Sequence, residues 1–233
     1  MYSREINGQE YTFGVSGKLI RNVLVMYDRQ TGSLWSQLLG ESVEGDLIGT
    51  KLDYVASWMT TWEEWKAMHP ETVALDKGFC VGKRDSYDSY YASSSAGVIG
   101  ETLEDERLYT KEFVIGVEVG ETAVAYPFSV LNDEPIVNDT VNNTDLLVVF
   151  NADAALGVVF DRQVDGQTLT FSAKDDDTLI DSETGSTWNA FTGTASAGEL
   201  EGTALERVKS TTIFWFGWKD IHPDTLLFGI DEY

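Results

Sequence analysis

The sequence predicts an α+β protein, rich in β-structure, with two pseudo-equivalent lobes of antiparallel strands, each closed by a short Trp-bearing helix. Three observations predict it. A long segment recurs once at a fixed offset, each copy opens on a two-residue hairpin turn, and each closes on the phrase WKxxHPxT, which stops a helix.

The hairpins come first along the chain. Asn7-Gly8 separates SREI from EYTF, and Asp165-Gly166 separates GVVFDRQV from TLTF. Asn-Gly and Asp-Gly tolerate the positive φ of a type I′ turn, so each pair predicts two short strands folded back on one another. Ser16 follows in GVSG, between two glycines. It lacks the G-x-S-x-G spacing of a nucleophile elbow and reads as a tight turn.

From Asp28 the repeat is gapless. Asp28 to Leu75 aligns with Asp181 to Phe228 at an offset of 153, and more than a third of the 48 positions are identical. TGSLW (Thr31 to Trp35) matches TGSTW (Thr184 to Trp188), and Gly40, Gly45 and Gly49 match Gly193, Gly198 and Gly202. The Gly-spaced stretch predicts bends feeding a strand over Leu52 to Val55. TTWEEWKAMHP then predicts a helix: Thr60 or Thr61 caps it, Glu63 or Glu64 completes the cap, and Pro70 ends it.

Helical spacing puts Trp62, Trp65 and His69 on one face. The same face recurs in Trp215, Trp218 and His222, and these are the protein's two histidines. An imidazole beside indoles at a helix end reads as packing near the negative end of the dipole. A metal ligand needs companions, and one His per copy without nearby Cys supplies few.

Residues 76–110 read as a surface connector. Lys111 to Arg162 carries its own strands: Gly120-Glu121 turns Phe113–Val119 back into Thr122–Tyr126, while LLVVF and GVVF read as buried strands. No equivalent stands before the first copy. With this segment called A and the repeated one B, the order is B, A, B, which gives a first lobe over 1–100 and a second over 101–233.

Charge excludes two classes of partner. With 39 acidic against 16 basic side chains the net charge is −23, which repels nucleic acid and anionic membrane surfaces. The same surface suits solubility at high salt, the halophilic reading, as it suits an acidic protein in an ordinary compartment. Cys80 is alone, so it forms no intrachain disulfide, and nothing in the sequence implies a cofactor. The first residues hold no apolar signal core, and no run is long enough to span a bilayer, so the chain reads as soluble.

Several phrases taken together resemble one family. TFGVSGKL, VMYDRQTGSLWSQLLGE, TTWEEWKAMHPET, AYPFSVLN, IVNDT and GVVFDRQVDGQTLTF are similar to domain of unknown function 3179 (DUF3179) over nearly the whole chain. The resemblance implies a fold and no activity. It also implies an earlier A segment bearing a His-Glu phrase and a Cys-Pro-Leu-Cys-Gly phrase, and frequent export. Here Glu134-Pro135 stands at the His-Glu position, and Asn151 and Ala154 stand at the two cysteines, so thiol or metal chemistry tied to those phrases cannot run. By this resemblance the chain reads as the later part of a family member.

Two functions remain. The first is a non-catalytic binding or structural module whose paired lobes form a groove. The second is a hydrolytic or metal-assisted enzyme using His69 or His222 with Ser16, Asp28 or Asp139 as nucleophile or carboxylate partner. KDDDT (Lys174 to Thr178) lacks the alternating ligands and distal Glu of a calcium loop and reads as solvated. Asn138 and Asn142 head glycosylation sequons that matter only in an exported chain. The shortened opening of the first hairpin predicts an unpaired edge around Glu10 to Phe13, through which the chain would self-associate.

Overall fold

The structure, a computed structural model, describes residues 1–76, 78, 87–175 and 177–233. Cys80 and Asp176 lie outside the described residues. The first third holds β1 (Glu5–Ile6), β2 (Gln9–Glu10), β3 (Phe13–Ile20), β4 (Val23–Asp28), β5 (Leu34–Ser36), β6 (Glu41–Glu44) and helix α1 (Trp62–Met68). A short helix α2 (Asp88–Tyr91) follows, then β7 (Phe113–Val119), β8 (Thr122–Pro127), α3 (Phe128–Leu131), β9 (Ile136–Val141), β10 (Thr144–Asn151) and β11 (Leu156–Asp161). The last part holds β12 (Gln163–Val164), β13 (Gln167–Thr168), β14 (Phe171–Asp175), β15 (Thr178–Asp181), β16 (Thr187–Asn189), β17 (Ala195–Ala197), β18 (Ser210–Phe214), α4 (Trp215–Ile221) and β19 (Leu226–Leu227).

The protein is β-rich with antiparallel sheets and few short helices, as the patterning predicts. Both hairpin turns form where Asn7-Gly8 and Asp165-Gly166 stand, with positive φ at all four residues. The meanders β3-β4-β5-β6 and β14-β15-β16-β17 each follow one of these hairpins. Gly120 turns β7 into β8, and β18 and β19 flank that pair in the order β18-β7-β8-β19. Its one parallel pairing, β19 on β8, departs from the all-antiparallel expectation. The reason is topological: α4 carries the chain from one edge of the β7–β8 hairpin to the other.

β10 explains why LLVVF is apolar without alternation. It is central in the sheet β11-β10-β9, and its two faces enter different cores. Leu146, Val148 and Phe150 pack with Ile115, Val117, Val124 and Tyr126, whereas Leu147 and Val149 pack with Phe160, Phe171, Leu179 and Trp188. A strand buried on both faces reads as a continuous hydrophobic run. A smaller cluster of Ile6, Tyr11, Trp35 and Leu52 sits among the first residues.

Two local expectations need correction. Leu52 to Val55 forms no strand, only an isolated bridge at Tyr54, because neighbouring amides serve different partners. Leu52 N–H donates to Gly40, and Val55 N–H donates to Met1. Ser16 lies within β3 at a bulge rather than in a connecting turn, because the register against β4 shifts between Val15 and Leu19. The connector region also holds α2 and the buried Ala96, so it is not wholly superficial.

The two Trp-bearing helices start differently. Thr61 caps α1 by accepting from the Glu64 N–H at 3.2 Å. α4 has no side-chain cap; the N–H groups of Trp215 and Phe216 donate to the carbonyls of Glu112 and Thr110 just before β7. Those free amides must be satisfied somewhere. The second helix is thus tied to a sheet where the first is self-sufficient.

Candidate functional site

Asp28 and Asp181 close β4 and β15 with the same contacts. The Trp35 indole N–H donates to Asp28 at 3.0 Å, and the Trp188 indole donates to Asp181 at 2.8 Å. The backbone N–H of Thr31 or Thr184 adds a bond of 2.6 Å to its Asp, and each Thr hydroxyl binds the same carboxylate and the Ser hydroxyl two residues on. Gly45 and Gly198 leave no room for a Cβ against Ser33 and Ser186. Burial opposes ionisation of both carboxyls, but the indole and threonine donors outweigh it and hold them below the ordinary value. Asp28 is therefore spent on its own turn.

Each histidine rides on the Trp one helical turn earlier. The ring centroids of Trp65 and His69 are 4.2 Å apart, and those of Trp218 and His222 are 4.1 Å apart. The indoles donate to Thr72 and Thr225 at 2.9 and 2.8 Å. Those threonines follow the prolines that end the helices, so the phrase WKxxHPxT is a helix-stop clamp. Nε2 of His222 is buried without a hydrogen bond and lies 3.8 Å from a Glu118 carboxylate oxygen. Burial holds this imidazole below its ordinary value, Glu118 pulls the other way, and Lys209 reinforces the lowering.

The remaining candidates are engaged as well. The Ser16 hydroxyl donates to the Val25 carbonyl at 2.6 Å and accepts from Lys18 N–H, bracing the bulge. Asp139 accepts from the hydroxyls of Tyr126 at 2.9 Å and Tyr233 at 2.6 Å, which fastens the C-terminal residue to β9. Burial and this carboxylate push both phenols up. Its neighbour Asn138 exchanges two bonds of 2.8 Å with the backbone of Phe171, joining β9 to β14. None of these contacts joins a histidine to Ser16, Asp28 or Asp139.

Two of the cavities are lined by residues of the first recurring segment, 28–75. One, of about 200 Å³, is lined by Ser57, Trp58 and Met59 together with Ser210, Thr211 and Thr212. The two triplets are separated by the same 153 residues at which the sequence recurs. Tyr2, Gln37 and Tyr54 complete it, with the Tyr54 hydroxyl donating to the Ser210 carbonyl at 3.4 Å. Burial and the Glu118 charge push the Tyr2 phenol up to about 12. The other cavity, of about 260 Å³, is bounded by Trp58, Trp65, His69 and Arg207. Trp58 stands edge-on to Trp65 at 5.9 Å, and Arg207 lies 5.7 Å over Trp58. Sequence reasoning missed Trp58 and Arg207. Trp58 had a signal, since its counterpart in the other copy is Thr211 and a Trp that breaks a repeat has some other use.

Among the described residues no group of three or more His, Cys, Asp and Glu side chains could hold a metal ion, and no helix is long and apolar enough to cross a membrane. The sequence profile described as protein of unknown function DUF3179 matches residues 1–225. No curated protein and no solved structure matches the chain.

Proposed function

Because the chain belongs to the DUF3179 family, whose description carries no activity, we propose from its geometry that it is a non-catalytic binding or structural module. In this reading an internal duplication builds two pseudo-equivalent lobes, residues 1–100 and 101–233, with a groove between them. One observation carries it: a single cavity is lined by residues 57–59 and by residues 210–212, which stand at equivalent positions of the two copies in this reading. The repeated Asp-Thr-Ser-Trp turns and helix-stop clamps support duplication, because they recur bond for bond at one offset. The engagement of Ser16, Asp28 and Asp139 in turns, bulge and strand contacts supports a scaffold role for the residue types that would otherwise suggest catalysis.

A specific observation favours the second reading, a hydrolytic or metal-assisted enzyme. The Nε2 atom of His222 lacks a hydrogen bond and approaches Glu118, beside a cavity of about 410 Å³ that Thr122, Ala123 and Pro223 help to line. A neutral imidazole near a carboxylate is a general base in outline. Turnover of chromogenic ester, amide and phosphoester substrates, with and without divalent metal, separates the two. The module reading expects none from the native chain. Turnover abolished by His222→Gln at unchanged melting temperature would establish the enzyme.

A further inference from the structure

Among the described residues no carboxylate lies within ion-pair distance of Arg207, although its charge is partly withdrawn from water. Its main chain is fixed by an isolated bridge to Phe160, and the next N–H, that of Val208, donates to Val159 at 3.0 Å. The guanidinium carbon lies 5.2 Å over the Phe160 ring and 5.7 Å over that of Trp58. Stacking of this kind occupies the face of a guanidinium and leaves its N–H edge to find acceptors. That edge finds little: Nη1 donates to the Phe191 carbonyl at 3.4 Å, and Nε is buried without a partner. Arg107, Arg162, Lys209 and Lys219, also partly or wholly buried, each reach a carboxylate. A sheltered charge costs free energy until it is paired. Burial accordingly holds Arg207 below its ordinary value.

This side chain lines the cavity of about 260 Å³ whose walls include the rings of Trp58, Trp65 and His69, with Ala56 and Ser57 beside them. The chain has 39 acidic side chains, and none is among the described residues lining this cavity. The recurring sequence does not account for the pair either. At the offset of 153, Thr211 stands for Trp58 and Tyr54 stands for Arg207.

We propose that this cavity binds a small aromatic carboxylate, with its anionic end on the N–H edge of Arg207 and its ring against Trp58 and Trp65. A guanidinium presents parallel donors that match the two oxygens of a carboxylate. Indole walls match a flat apolar body rather than a polar one. The volume lies just under the range of pockets for drug-sized ligands and suits roughly one or two fused rings. Charge narrows the class further. With a net charge of −23 the chain repels multiply charged anions such as nucleotides, and a monoanion meets the least opposition. Ser57 and Trp58 also line the cavity of about 200 Å³, so the assignment deepens the binding-module reading and rests on it.

The test titrates the full chain with cinnamate, followed by calorimetry and by NMR of the tryptophan rings, with cinnamamide and acetate as controls. Saturable one-to-one binding of cinnamate is expected, with the ring signals of Trp58 and Trp65 shifting and those of Trp35, Trp188 and Trp215 unmoved. The amide lacks the charge and acetate lacks the ring, so each should bind at least about tenfold more weakly. Arg207→Gln should weaken cinnamate by a similar factor. Melting curves show whether that variant folds; if it does not, the comparison of acid with amide on the native chain decides in its place. The proposal is overturned if cinnamate shows no saturable binding, if the amide binds equally well, or if a folded Arg207→Gln chain binds as the native one does. Shifts confined to tryptophans other than Trp58 and Trp65 overturn it too. The module reading fails separately, through turnover of the ester, amide or phosphoester substrates, so absence of binding without turnover removes only the site.

Discussion

The Trp188 indole N–H donates to the Asp181 carboxylate at 2.8 Å in a core from which both side chains are shut off from water. A buried carboxylate is tolerable only with several donors, and Thr184 supplies the others. Trp35 and Asp28 repeat the relationship in the smaller first core. Trp188→Phe keeps most of the apolar area and removes one bond to a charged acceptor. Its cost should be about 1 to 3 kcal/mol in denaturant unfolding, and Trp35→Phe should cost a similar amount.

The same carboxylates set an acid limit. Both are held below the ordinary value near 3.8, so the unfolded chain takes up protons first as pH falls. Their stabilisation is complete above the unfolded value and is lost as pH falls through the folded one. Melting temperature should therefore drop as pH falls below about 4. The Asp28→Asn/Asp181→Asn variant should be less stable at pH 7 and show a shallower acid decline over that window.

His222 contributes with its own pH window. Its folded value lies below the ordinary 6.5, so stability is complete above that pH and declines as protonation of the unfolded chain sets in, levelling below the folded value. His222→Gln should remove this slope. It should also cost about 1 kcal/mol through the lost contact with Trp218, while His69→Gln on the more open helix should cost less. Melting curves at pH 5 and pH 8 decide it; equal slopes in wild type and variant would contradict the assignment.

Truncating the leading tryptophans of α1 and α4 should separate the two helices. Trp215→Ala empties a fully buried site between α4 and the β7–β8 sheet and should cost about 3 to 5 kcal/mol. Trp62→Ala alters a mostly exposed side chain and should stay within about 0.5 kcal/mol. Urea midpoints at constant m-value measure the difference.

Much of this architecture was legible because short-range rules carried it. Asn7-Gly8, Asp165-Gly166 and Gly120 fixed hairpins through backbone φ alone, and Thr61 with Pro70 bounded α1. The clamp contacts were half legible: Trp65 and His69 share a helix face by spacing, but the indole bond to Thr72 depends on how the chain turns after Pro70. Long-range pairing was not legible. The parallel docking of β19, the Asn138 bridge to Phe171 and the joining of Asp139 to Tyr126 and Tyr233 depend on which surfaces meet in three dimensions. Leu52 to Val55 misled because its apolar residues suit a strand while its amides are shared among separate partners.

Residue-resolved hydrogen exchange in the full chain tests most directly the proposal that one unit is repeated, with its helix buried as α4 and largely exposed as α1. The N–H groups of His69 and His222 make equivalent bonds, to the carbonyls of Trp65 at 2.8 Å and Trp218 at 2.9 Å. Local geometry alone would give them equal protection. The amides of α4 should exchange only with sub-global or global opening, while those of α1 should exchange at least about a hundredfold faster. Equal protection of the two helices in a monomer would contradict it.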